Sequence, residues 1–173
     1  MIPADINFAP ELPAHDDEIE VINEEAFGPG RFVRAAYKIR EGGSHERALS
    51  FVALDGEAVI ASVRMTRIAA GDGRALLLGP LAVRVSHKNL GIGRKLVAMA
   101  LDAASAAGEQ AVVLVGDEPY YGPLGFSRIP YGQITMPRPV DPKRLLAAEL
   151  VEGAVKRLTG EVCHADRAKT VRA

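Results

Sequence analysis

The stretch from Leu76 to Val97, reading LLLGPLAVRVSHKNLGIGRKLV, constrains the fold more than any other part of the sequence. It begins as an apolar run with the length of a buried strand and ends in apolar residues at helical spacing. Between the two, Gly91 and Gly93 predict a tight turn. A turn that joins a strand to the start of a helix leaves backbone N–H groups unpaired where the helix dipole is positive, which favours binding of a phosphate group.

Length and composition limit the class of protein. A chain of 173 residues is enough for one α/β domain and short for two, so we expect a single domain spanning residues 1–173. The net charge of -1 gives no reason to expect nucleic acid or an anionic membrane as a partner. Cys163 is the only cysteine, which excludes an intrachain disulfide and a cysteine-based zinc site. The N-terminus has no basic lead or apolar core, and no uncharged apolar run could cross a bilayer, so we expect a cytoplasmic protein.

The residues before the central stretch predict two helices and a hairpin. A short strand is expected at Ile6–Phe8, followed by a helix at Asp16–Phe27. A second helix is predicted from Arg31 to Glu41, with Val33, Ala36, Tyr37 and Ile39 or their neighbours on its buried side. The sequence Asp-Gly between two apolar runs then predicts a hairpin of strands. Its strands are expected at Leu49–Leu54 and Ala58–Ile68.

The residues from the central stretch onward predict a strand, a helix and a parallel strand. Gly79-Pro80 interrupts the first strand, because proline removes a ladder donor and glycine often marks a bulge. The helix after the glycine turn should end at Gly108, with its buried side extending to Ala107. A second strand at Ala111–Val115 implies a right-handed parallel crossover. A further strand is predicted at 133–136. The periodicity of residues 145–150 does not distinguish a strand from a helix, and their composition is helical.

Two well-known phosphate-binding motifs do not fit the glycine turn. A mononucleotide P-loop requires Gly-Lys-Ser or Gly-Lys-Thr, whereas Gly93 is followed by Arg94, Lys95 and Leu96. A dinucleotide fingerprint requires a third glycine where Leu96 stands. On the residues alone, a turn that only shapes the chain is as good an interpretation as a phosphate site.

Two motifs resemble the GNAT superfamily of acyl-CoA N-acyltransferases. The run LAVRVSHKNLGIGRKLV is similar to its acyl-CoA-binding motif, with Lys88, Gly91 and Gly93 in the motif positions. The segment YYGPLGF resembles its Tyr-x-x-x-Gly-Phe segment, which falls on Tyr121, Gly125 and Phe126. The surrounding phrases AFGPGRFVRAAYKIREG, LSFVALDGE and LLLGPLAV resemble most closely the YhbS-like bacterial group of this superfamily.

The resemblance implies an α/β (α+β) fold with a mixed central sheet and helices on both faces. The sheet would be splayed between its fourth strand, Leu76–Val83, and its fifth, Ala111–Val115. Acyl-CoA would lie in that gap. The resemblance also favours a strand at Leu145–Leu150.

The resemblance also implies the reaction and the residues of the site. The protein would move an acetyl group from acetyl-CoA directly to an amine, without a metal and without a covalent enzyme intermediate. Tyr121 matches the general acid that protonates the leaving thiolate, while Tyr120 is interpreted as a packing residue. A backbone N–H of the fourth strand would stabilise the oxyanion, and Lys88, Arg94 and Lys95 would add positive charge. The residues expected to bind acetyl-CoA are Leu81, Ala82, Val83, Lys88, Asn89, Leu90, Gly91, Ile92, Gly93 and Arg94.

Several alternatives stay open at this point. Many family members carry a glutamate on the strand before the glycine turn, but this strand has no acidic residue, so no general base is assigned. Asp117, Glu118 and His87 are nearby candidates that read better as surface or turn residues. The acidic helix at Asp16–Phe27 could attract a cationic acceptor, although a solvated helix face is the better interpretation. The alternative function is a non-catalytic acyl-CoA-binding module, and the acceptor and a homodimeric state are left open.

Overall fold

The computed structural model describes residues 1–171, which form a nine-stranded mixed sheet with helices on both faces. The strands are β1 (Ile6–Pro10), β2 (Phe51–Asp55), β3 (Ala58–Ala70), β4 (Gly73–Val83), β5 (Ala111–Val115), β6 (Ser127–Arg128), β7 (Ile134–Thr135), β8 (Leu145–Glu149) and β9 (Gly160–His164). The α-helices are α1 (Asp16–Phe27), α2 (Ala35–Arg40), α3 (Ile92–Ala106), α4 (Glu118–Tyr121) and α5 (Ala165–Val171). In this part of the chain, no helix combines the length and apolar character that a bilayer crossing requires. Residues 172 and 173 of the expected single domain lie outside the described range.

The sheet is splayed between the two neighbouring strands β4 and β5, which pair in parallel. Its strand order is β1-β2-β3-β4-β5-β8-β6, and β9 pairs with the far end of β3 and with β7. Strands β4 and β5 pair in parallel only where Leu76 faces Val112 and Leu77 faces Val113. Beyond these residues β4 continues along β3, while β5 continues along β8. The predicted fold class and the predicted gap between the fourth and fifth strands are therefore confirmed.

The apolar strands β4 and β5 are buried on both faces. Leu76 and Leu78 belong to the core beneath α3, whereas Leu77 belongs to the core on the opposite face. Likewise, Leu114 faces the α3 side and Val113 faces the other side. Strands covered by helices or loops on both faces read as continuous apolar runs, which explains why these segments show no polar alternation.

A bulge interrupts β4 at the predicted place. Val63 of β3 faces Leu81 and Met65 faces Leu78, so Gly79 and Pro80 together face the single residue Arg64. Gly79 has a φ of +130°, a conformation that side chains other than glycine's rarely adopt. The bulge bends β4 close to the point where it leaves β5.

The predicted second helix is wrong in its bounds and, at Val33, in its buried side. A 3₁₀ turn covers Pro29–Val33, and α2 begins only at Ala35, because Arg34 has extended backbone angles that end the first turn. The helical repeat therefore starts again. Ile39 is buried as predicted, together with Ala35, while Ala36 and Tyr37 are half-buried. Val33 is 71% exposed instead of buried.

The other predictions agree with the structure to different degrees. The helix at Asp16–Phe27 and the strand at Ala111–Val115 are confirmed with their bounds, and the strand implied at 145–150 ends at Glu149. Ala107 is exposed, since α3 ends at Ala106. The strand expected at 133–136 is reduced to β7, while β6 and β9 were not predicted because they are short or lack alternation.

Candidate active site

The glycine turn leaves backbone donors at the start of α3. Gly91 precedes the helix in the left-handed conformation, with a φ of +86°. The Lys95 N–H donates to the Gly91 carbonyl, which is the first bond of the helix. The N–H groups of Ile92, Gly93 and Arg94 come before this bond and so have no carbonyl within the helix to donate to. Because the helix dipole is positive at the same end, the turn is suited to bind an anion.

Gly93 is enclosed by side chains, so its lack of a β-carbon is required by the packing. A β-carbon built on Gly93 would stand 2.7 Å from the Tyr120 hydroxyl and 3.5 Å from Val83 Cγ2. Leu81 Cδ2 would lie 3.9 Å away. A larger residue would therefore push into the space between the turn, the edge of β4 and Tyr120.

A cavity of about 1140 Å³ connects the glycine turn with the gap between β4 and β5. It follows β4 on the edge that β5 has left, where the strand's backbone groups have no partner strand. All but one of the residues expected to bind acetyl-CoA line it, namely Leu81, Ala82, Val83, Lys88, Asn89, Gly91, Ile92, Gly93 and Arg94. The exception is Leu90, which packs against the core beneath α3.

Both tyrosines of the short helix α4 line this cavity. The ring of Tyr121 lies between Gly116, at the end of β5, and Phe126, whose ring centroid is 5.8 Å away. Burial raises the pKa of Tyr121 to about 12, and the neighbouring Tyr120 and Asp117 add to this effect. Burial also raises the pKa of Tyr120. Both phenols are therefore protonated at neutral pH and able to donate a hydrogen bond.

Tyr120, for which the sequence suggested a packing role, packs against the glycine turn with its hydroxyl end. Its hydroxyl is directed at the glycine turn and stands over Gly93, and its ring is covered by the Arg94 guanidinium at 5.2 Å. The pair of adjacent tyrosines was the available signal, but only the path of α4 shows which hydroxyl meets the turn. Of the expected cations, Lys88 and Arg94 line the cavity, whereas Lys95 lies over the Phe8 ring at 4.1 Å.

The three candidate bases are all engaged in pairs at the protein surface. His87 Nε2 is 3.2 Å from Asp55, and the Arg144 Nε donates to Asp117 at 3.0 Å. Glu118 is 2.6 Å from Arg128 Nε. His87 and Asp117 line the cavity, whereas Glu118 is not among its lining residues.

Arg40 is a cavity residue that the sequence reasoning missed. It stands at the end of α2, and its guanidinium Nη2 lies 2.7 Å from the position of a β-carbon on Gly79. Arg40 and Lys38 of the same helix are both half-buried, so no sequence signal separated Arg40 from its neighbour. Within residues 1–171, no group of three or more His, Cys, Asp or Glu residues could hold a metal ion.

Comparisons with known proteins agree with this geometry. The family model described as Acetyltransferase (GNAT) family matches residues 16–126. The structure of a GNAT N-acetyltransferase, YhbS, from Escherichia coli in complex with CoA is similar with a TM-score of 0.79, 24% identity, and coverage of 98% of this chain and 95% of that chain. An acetyltransferase of the same family from Brucella melitensis, in complex with acetyl-CoA, gives a TM-score of 0.60 and 27% identity over 83% of this chain and 96% of that chain.

Naa50 from Arabidopsis thaliana, in complex with a bisubstrate analogue, gives a TM-score of 0.56 at 13% identity over 84% of this chain and 99% of that chain. A search of curated protein sequences gives no significant match. The family model covers well over half of the chain and includes both the glycine turn and the Tyr121 segment. The chain belongs to the GNAT family of acetyltransferases.

Proposed function

We propose that this protein transfers an acetyl group from acetyl-CoA directly to an amine, within one domain. The observation that carries the proposal is the cavity that joins the unpaired amides of α3 to the open edge of β4. The similar E. coli and Brucella structures contain CoA and acetyl-CoA, which supports the same ligand here. When bound, acetyl-CoA supplies an acetyl group activated as a thioester.

The residues of the glycine turn fit the diphosphate of coenzyme A. The N–H groups of Ile92, Gly93 and Arg94 would donate to its oxygens, and the absence of a β-carbon on Gly93 allows the close approach that this requires. Lys88 and Arg94 line the same cavity and add positive charge. The expected residues Asn89 and Gly91 would shape the turn, since both have a positive φ.

The open edge of β4 is suited to orient the pantetheine arm and to stabilise developing charge. Residues 81–83 pair with β3 on one edge only, so their remaining backbone groups can bond to the amides of the arm. One N–H there would donate to the thioester oxygen, which becomes negative as the amine attacks. Removing such a donor typically costs about 3–4 kcal/mol of transition-state stabilisation.

Tyr121 would act on the leaving sulfur. Full transfer of its proton, from a pKa of about 12 to a thiolate with a pKa of about 8.5, is uphill by about 5 kcal/mol. Tyr121 would therefore contribute mainly a hydrogen bond that strengthens as negative charge forms on sulfur. Its contribution should lie near the lower end of general acid catalysis, at about 10²-fold.

The alternative is a module that binds acyl-CoA without catalysis. The observation that favours it is the pairing of Asp117 with Arg144, which leaves that cavity carboxylate occupied instead of available as a base. This alternative needs the glycine turn and the cavity but gives the Tyr121 hydroxyl no role.

Calorimetry and a thiol-release assay together separate the two functions. We expect acetyl-CoA to bind with one site per chain, and a panel of amines to include members that stimulate release of free CoA. Binding without stimulation by any amine would support the binding module. Absence of binding would contradict both functions.

A further inference from the structure

Arg40 is a half-buried cation whose side chain has no hydrogen-bond or ion-pair partner among the described residues 1–171. Its Nε is enclosed and unpaired, while the side chain lines the cavity. Burial, and then the neighbouring Arg64 cation, lowers the pKa of Arg40 to about 10, so the guanidinium keeps its charge at neutral pH. Because a partly desolvated charge without a counter-ion is unfavourable, an anion beside Arg40 would be stabilised.

The nearby carboxylates of the protein do not provide this anion. Arg40 also lines a second, smaller cavity of about 240 Å³, whose wall contains two glutamates. Both glutamates are already paired with other cations. The pairs are Glu20–Arg31 at 3.9 Å and Glu41–Lys38 at 3.2 Å.

The smaller cavity has other polar groups without partners. Asn23 Oδ1 and Thr66 Oγ1 are buried, have no hydrogen-bond partner among the described residues, and belong to residues that line it. Together with Arg40 Nε, three unpaired polar atoms thus border one small space. Buried polar groups in proteins are nearly always hydrogen-bonded, so this space fits a small polar part of a ligand better than an apolar one.

The position of Arg40 along β4 shows which ligand it would meet. Starting at the glycine turn, the strand passes the proposed pantetheine contacts at Leu81–Val83 and then reaches the bulge at Gly79, beside Arg40. Gly79 lies two residues beyond Leu81 across the bulge, so the two residues are at most about 7 Å apart. A group bound by Arg40 is therefore on the far side of the thioester from the diphosphate, where the acceptor must enter.

We infer that the acceptor is a small molecule carrying both an amine and a carboxylate, and that Arg40 binds the carboxylate. This inference rests on the proposed acetyl transfer. A guanidinium presents two parallel N–H donors that match the two oxygens of a carboxylate. Because Arg40 lies beside Gly79, two residues from the proposed pantetheine contacts at Leu81–Val83, both groups would belong to one compact molecule. A lysine side chain within a protein, or an amine without an acidic group, would leave Arg40 unpaired.

The test compares acceptors that differ only in the anionic group. The panel consists of the common L-amino acids, β-alanine and 4-aminobutyrate, and each is compared with its own carboxamide. Phosphoethanolamine is added because it carries a phosphate group where β-alanine carries a carboxylate. Release of free CoA from acetyl-CoA is measured for each. We expect at least one carboxylate to be used, with kcat/KM about 10- to 100-fold above its carboxamide.

Variants of Arg40 connect the preference to this residue. Arg40→Gln should raise the KM of the preferred carboxylate by about 10- to 100-fold and reduce the difference between acid and amide, with a smaller effect on kcat. Arg40→Lys keeps the charge, so its KM for the carboxylate should lie between those of the original protein and Arg40→Gln. This variant also tests the role of Arg40 if Arg40→Gln does not fold. Lys156→Gln removes an exposed cation that lines neither cavity and should leave the KM unchanged.

The outcomes separate this inference from the proposed function. Turnover of amines and carboxamides as fast as of carboxylates would overturn the inference and leave acetyl transfer intact. A preference for phosphoethanolamine, or an Arg40-dependent preference for succinyl-CoA over acetyl-CoA, would also overturn it by assigning Arg40 to a phosphate or to the acyl group. Failure of every amine, with acetyl-CoA bound, would contradict acetyl transfer itself.

Discussion

The hydroxyl of Tyr120 stands over Gly93, 2.7 Å from the point that a β-carbon would occupy. This relationship joins helix α4, which follows β5, to the first turn of α3, which follows β4. It closes one side of the turn whose amides are proposed to hold the diphosphate. The space at Gly93 is therefore fixed from two directions, by the strand edge at Val83 and by the tyrosine.

We expect Gly93→Ala to weaken CoA binding without unfolding the protein. The added methyl group would displace Tyr120 and fill the space that the diphosphate needs, at a loss of about 10- to 100-fold in affinity, equivalent to one or two charged hydrogen bonds. Alanine is the better helix former by about 0.5–1 kcal/mol, so the melting temperature should change little. Calorimetry and thermal unfolding check the two effects separately.

The control for this prediction is Gly30→Ala. Gly30 is exposed, has no atom within 4 Å of its built β-carbon and does not line the cavity. Its variant should bind CoA like the original protein. Equal affinity of the Gly93→Ala variant would show that the diphosphate does not lie at the turn.

Separate substitutions of the two neighbouring tyrosines test which of them is the general acid. We expect Tyr121→Phe to lower kcat by about 10²-fold while the affinity for acetyl-CoA is unchanged, because only the hydrogen bond to the leaving sulfur is lost. Tyr120→Phe removes the hydroxyl at Gly93 and should affect acetyl-CoA binding more than kcat. The measurement is thiol release at saturating acetyl-CoA, with binding followed by calorimetry. The reverse pattern would assign the acid to Tyr120.

The raised pKa of Tyr121 predicts the pH dependence of the reaction. A catalytic acid is lost when the pH rises through its pKa, and burial raises the pKa of Tyr121 to about 12. The rate should therefore rise with the deprotonated fraction of the amine between about pH 7 and 10, without an alkaline decline in this interval. A decline near pH 9 that is absent from Tyr121→Phe would contradict the assignment.

The buried carboxylate of Glu11 is expected to be important for stability. Its side chain is 0% exposed and lies 2.6 Å from Arg64 Nη2 and 2.7 Å from His45 Nε2. Glu11 therefore holds Arg64, the residue of β3 that faces the β4 bulge. Glu11→Gln removes the charge and should lower the free energy of unfolding by about 3 kcal/mol, because Arg64 keeps only Asp16 as a charged partner. Urea unfolding measures this loss. Glu24→Gln on the exposed side of α1 is the control and should cost little.

The stability difference should also depend on pH. Burial by itself raises the pKa of Glu11, but the hydrogen bond with His45 and the charge of Arg64 outweigh it and hold the pKa below the ordinary value of 4.5. The contribution is therefore fully present above pH 4.5 and is lost as the pH falls through the lowered pKa. The difference between the original protein and Glu11→Gln should persist at pH 5 and shrink in stronger acid. A constant difference down to full acid unfolding would exclude a lowered pKa.

The sequence by itself determined the central strand, the glycine turn and the helix that follows. The apolar run of β4, the spacing of Gly91 and Gly93, and the helical repeat of α3 are properties of neighbouring residues, and the backbone responds to them locally. The same holds for the bulge at Gly79-Pro80. The limits of local reasoning appear at α2, where the extended conformation of Arg34 restarts the helix and moves Val33 to the surface.

Only the tertiary structure decided which side chains meet at the site. Glu11 and Arg64 are 53 residues apart in the chain, and Arg40 reaches Gly79 only because α2 packs beside the β4 bulge. Likewise, adjacent tyrosines cannot be distinguished until the path of α4 directs one hydroxyl to Gly93 and the other ring to Phe126. Such contacts depend on how strands and helices are arranged in space, and residue spacing along the chain carries no information about distances between separate elements.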